Sequence, residues 1–130
     1  MLFSGPIQPP MLGVAVASAK IHLTPEHAQR QEEISRRIDH AVRAADRAGV
    51  PLAARGQTPI FFIPRDSVRE VTDTVHRFWE HGFYVCPSTF PAVPINRPGV
   101  RFTVGLHNEL DDIDAFMEVA GHVTALPNTA

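Results

Sequence analysis

The stretch from Pro10 to His22, PMLGVAVASAKIH, is apolar on almost every side when wound as a helix. A helix of that kind must be covered all round. A chain of 130 residues has little material left to cover it after building a core of its own. The run therefore implies a neighbour, either a larger parent domain or a second subunit. Crossing a bilayer takes roughly 20 apolar residues, so Met11 to Ala19 is too short to be a membrane span. Ala17-Ser18-Ala19 mimics a signal cleavage site, but the residues before it, Met1 to Pro10, have no basic residue and contain three prolines, which argues against a secretion signal.

Charge narrows the partners. Arginines are interspersed with acids and the net charge is -2, whereas phosphate backbones call for a concentrated positive surface, so nucleic acid is not an expected partner. With 44% hydrophobic and 20% charged residues, the chain reads as one ordinary globular domain. The single cysteine, Cys86, excludes an internal disulfide and fits a reducing, cytoplasmic setting. Set between apolar strand residues with no basic residue flanking it, Cys86 is expected to be buried and inert.

Local signals then divide the chain. Pro6, Pro9 and Pro10 keep the first ten residues extended up to the apolar helix. Thr24-Pro25-Glu26 supplies an N-cap, a proline at the first helical position and an acid in the first turn. Ile34, Ile38, Ala41, Val42, Ala45 and Ala48 recur at helical spacing until Gly49. The result is a helix of roughly seven turns, long enough to connect domains. Pro59 to Pro64 reads as a strand. A second amphipathic helix follows from about Asp66 to His81, with Val68, Val71, Val75 and Phe78 inward and Gly82 ending it. Phe83 to Cys86 is the next expected strand, and the prolines at 87, 91, 94 and 98 make a shaped loop. From Val100 to Leu106 apolar and polar residues alternate, which turns Arg101 away from the helix-packed face. Asn108, with Asp111 three residues on, is read as the cap of a last helix carrying Leu110, Ile113, Met117 and Ala120 inward, fraying after about His122. The expected fold is α+β: a mainly antiparallel three-stranded sheet with helices on one face, preceded by the apolar helix and the long connector.

Chemistry narrows to few residues. Arg101 presents a planar fork that matches a carboxylate bidentately. His107 stands between that strand and the last helix, where it can shape a pocket or orient the helix start. Ser4 and Gly5 offer a hydroxyl donor and a close backbone approach. His76 and His81 lie five apart, and a helical metal pair needs three or four; His22, His27, His40 and His122 have no acidic or cysteine partners at ligand spacing, so no metal site is expected.

The segments FSGPIQPP (Phe3 to Pro10), FPAVP (Phe90 to Pro94) and RFTVGLHNELDDID (Arg101 to Asp114) together resemble the carboxy-terminal portion of fold-type I pyridoxal-phosphate transferases, in particular the α-oxoamine synthases and their class I-II aminotransferase-like relatives. The resemblance implies the small C-terminal domain of such an enzyme. It implies that Arg101, with His107 nearby, binds the carboxylate of an amino-acid substrate, and that Ser4, with Gly5 where the family often has threonine, contacts the cofactor phosphate across a homodimer interface. The Schiff-base lysine of the family precedes the FS-P-P segment and would lie before Met1. Lys20, the one lysine beside 11 arginines, has no neighbours to hold the cofactor ring. On this reading the chain contains no catalytic residue and does not bind pyridoxal phosphate stably alone.

The expected division is residues 1–23 packing on a missing large domain or a second subunit, residues 24–125 forming the connector and small domain, and residues 126–130 a tail. The parent would be an acyl- or aminotransferase acting on an amino acid, with this chain alone inactive. The alternative is a stand-alone α+β dimerisation or interaction module without catalysis.

Overall fold

The computed structural model describes residues 5–125. Ser4 and the expected tail at 126–130 fall outside the described residues. Four helices and three strands follow in the order α1 (Pro9–His22), α2 (Pro25–Ala48), β1 (Ile60–Pro64), α3 (Val68–Glu80), β2 (Cys86–Ser88), β3 (Gly99–Thr103) and α4 (Leu110–Ala125). The chain divides into two compact units, with the boundary between Glu33 and Ile34 inside α2.

In the first unit, α1 buries no residue: Met11, Leu12, Val14, Val16 and Ile21 are all exposed. Thr24 then opens α2, its Oγ1 accepting the His27 N–H at 3.3 Å. Pro25 at the next position loses nothing by lacking an N–H there.

In the second unit, β3 is the centre of an antiparallel sheet of order β1-β3-β2. Ile60 to Pro64 run opposite Thr103 to Gly99, and Cys86 to Ser88 run opposite Arg101 to Gly99. Strand parity sends Phe61, Ile63, Val100 and Phe102 to the buried face, where α3 and α4 contribute Val71, Phe78, Ile113 and Met117, and α2 contributes Ile38, Ala41, Ala44 and Ala45. Phe116 joins the layers, its ring centroid 4.6 Å from Phe102, 5.1 Å from Phe78 and 5.3 Å from Phe83.

Both α2 and α3 end in the same way. Gly49 and Gly82 take φ of +70° and +82°. Past them, the Val50 N–H bonds Ala45 O and the Phe83 N–H bonds Phe78 O, each at 2.9 Å, satisfying carbonyls that the helix leaves open. Ser67 caps α3, accepting the Glu70 N–H at 3.2 Å. Ser67→Ala is expected to cost about 1 kcal/mol, read as a lower urea midpoint with an unchanged m-value.

Several sequence expectations are corrected. The strand expected at Phe83 to Cys86 begins only at Cys86, because Gly82 and Phe83 are used in closing α3. Pro87 lies inside β2, which an edge strand tolerates. Val68 and Leu110 are about half exposed, outside the stripes assigned to them. Leu106 lies beyond the end of β3 and is exposed. Asn108 does not cap α4: its Oδ1 accepts the Gly105 N–H at 2.8 Å, and the capping bond comes from Asp112, which accepts the Glu109 N–H at 3.0 Å. The last helix does not fray after His122 but runs to Ala125, anchored by buried Val123. On the outer side of β1, the Ala53 N–H donates to Phe62 O at 2.9 Å.

Candidate carboxylate site at the end of the sheet

The alternation that turns Val100 and Phe102 inward leaves Arg101 exposed on the other face of β3. Its cross-strand partners are Phe62 on β1 and Cys86 on β2. The guanidinium lies beside the cysteine, with Nη2 at 3.8 Å from Sγ. Cys86 is therefore exposed and has a basic neighbour across the sheet, contrary to the expectation of a buried, isolated thiol.

Arg101 and His107 line one cavity of about 450 Å³. The turn after β3 brings the histidine there. The Asn108 N–H returns to Gly105 O at 3.2 Å while Asn108 Oδ1 holds the Gly105 N–H, so residues 105–108 form a closed loop. Arg37 Nε fixes the loop from α2, donating to Asn108 O at 2.8 Å. A side chain at Gly105 would meet the imidazole, since a Cβ there would lie 2.7 Å from ring atoms of His107. Asp112 at the start of α4 also faces the cavity. Arg101, His107 and Asp112 thus border one concave site, and Arg101 is its fixed positive group. Such a set can bind and orient a small anion.

The remaining described candidates, Gly5 and Lys20, belong to the first unit. Gly5 is exposed with open space around it, and Lys20 is exposed on α1. His40, read as an ordinary surface histidine, packs with its Nε2 at 3.0 Å from Asp114 Oδ1, too poorly aligned for a hydrogen bond, while Arg47 Nη2 donates to the same oxygen at 2.9 Å. No group of three or more His, Cys, Asp or Glu among the described residues is placed to hold a metal ion. Among the described residues no helix is long and apolar enough to cross a membrane. Arg65, not singled out by the sequence, is half-buried: Nε donates to Thr74 Oγ1 at 3.1 Å, Nη2 is buried without a partner, and desolvation lowers its pKa against the opposing pull of Glu70 and Asp66.

This α+β arrangement is the fold of one part of fold-type I pyridoxal-phosphate enzymes. Solved structures that it resembles include α-oxoamine synthases. The 8-amino-7-oxononanoate synthase of Francisella tularensis is matched over 92% of this chain and 34% of its own, at 15% identity and a TM-score of 0.70. The serine palmitoyltransferase of S. paucimobilis, solved with a bound PLP-myriocin aldimine, is matched over 95% of this chain and 32% of its own, at 16% identity and a TM-score of 0.76. That of Sphingomonas wittichii is matched over 96% and 32%, at 19% identity and a TM-score of 0.65. The chain thus spans about a third of the length of each. No family model and no curated protein matches the sequence.

Proposed function

We propose that this chain is the small-domain portion of a pyridoxal-phosphate-dependent acyl- or aminotransferase, and that it supplies the site for the carboxylate of the amino-acid substrate. The observation carrying this reading is the convergence of Arg101 and His107 on one cavity in a fold shared with three α-oxoamine synthases. Arg101 holds the carboxylate through its two-pronged guanidinium, and the His107 ring, seated on Gly105, borders the bound group. The Schiff-base lysine and the residues that hold the ring belong to the rest of the parent, where the cofactor supplies the electron sink. Ser4 and Gly5 remain the candidates for a phosphate contact across a homodimer interface. The uncovered apolar surface of α1 is where the large domain or partner subunit packs.

In the intact enzyme, Arg101→Lys keeps the charge and loses the fork. A charge-assisted bond contributes about 1.5 to 3 kcal/mol, so apparent affinity for the amino-acid substrate should fall about ten- to hundredfold while cofactor absorbance and thermal stability hold. A domain that melts with substrate affinity intact makes Arg101 a structural residue and ends this reading.

A further inference from the structure

The cavity beside Arg101 extends beyond a seat for a carboxylate. Strand pairing between β2 and β3 stops at the Cys86–Arg101 pair, while β3 continues along β1 to Thr103. Tyr84 and Val85, drawn back towards the end of α3 by the closure at Phe83, leave β3 unpaired on that side. A slot opens there, with Arg101 at its mouth and an apolar lining of Phe83 and Tyr84 and of Phe116 from α4, backed by the buried side chains of Val104, Ile113 and Met117. Its volume of about 450 Å³ lies within the range of small-ligand pockets, which are mostly apolar with a few polar groups fixing orientation. A bare carboxylate would leave most of it unfilled.

Resting on the assignment of Arg101 as the carboxylate anchor, we propose that the slot takes the apolar body of the ligand, so that this site selects small monocarboxylates carrying an aliphatic or aromatic chain. The charge at the mouth and the apolar lining are complementary to the two ends of such a molecule.

The test is a titration of the full chain, followed by NMR at the Arg101 Nε–H and the Val104 methyls, with acetate, butyrate, hexanoate and 3-phenylpropionate, and with 3-phenylpropan-1-ol as the uncharged control. Complete burial of a methylene is worth roughly fourfold in affinity; in a slot open at one end the expected gain is about twofold per carbon, placing hexanoate about tenfold or more above acetate. The alcohol should bind at least about tenfold more weakly than 3-phenylpropionate, and Arg101→Gln should erase that difference. Equal affinity for all four acids, with dependence on Arg101 retained, overturns the slot assignment and leaves the carboxylate anchor standing. Acid binding that is undetectable, or unaffected by Arg101→Gln, overturns the anchor and the slot together.

Discussion

Phe78→Ala should remove about 3 to 5 kcal/mol of stability, enough to unfold much of the population of a domain of ordinary stability. Phe78 is completely buried, and its ring lies nearly parallel to Phe116 with centroids 5.1 Å apart. Phe116 in turn contacts Phe102 on β3. Truncation therefore leaves a cavity where α3, α4 and the sheet meet. Tyr84→Ala, at a side chain 91% exposed, is the matched control and should stay within about 0.5 kcal/mol. Urea denaturation followed by circular dichroism reads both. A loss below about 1 kcal/mol for Phe78→Ala would mean that the layers are not joined by these rings.

Gly99→Ala is the second large effect, and it works through crowding. A Cβ at Gly99 would collide with the Ile63 carbonyl oxygen and the Phe62 ring. The ring can rotate away, but the carbonyl belongs to the sheet backbone one strand over and cannot yield without disturbing the β1-β3 ladder. The expected cost is about 3 kcal/mol, at the upper end of overpacking losses. If instead the variant is as stable as the parent, β1 and β3 are not in the register described. A hydrogen-exchange comparison would show faster exchange in β1 and β3 with α4 little changed in a variant that still folds.

What could be read from the sequence follows the range of the forces involved. Thr24-Pro25-Glu26, Gly49 and Gly82 act within a turn of backbone, so the limits of α2 and the end of α3 could be read directly. Period-two alternation was enough to expose Arg101. The surroundings of Cys86 are not legible locally because its neighbour Arg101 lies fifteen positions away, and no local pattern states which residues a strand register sets side by side. The same applies to His40 and Asp114. The strand expected at Phe83 fails because its first residue is already engaged in closing α3, a competition that strand propensity does not record. The slot itself has no local signature, since it exists only because two paired segments part company.

Pro87 sits at the middle of a three-residue outer strand, and on the opposite flank Ala53 already occupies a carbonyl of β1. Neither border of the sheet presents a long row of open amides and carbonyls of the kind that templates fibrils. Ladder extension at these borders is therefore disfavoured, which leaves contacts between side-chain surfaces, a kind of contact that a single substitution can disrupt.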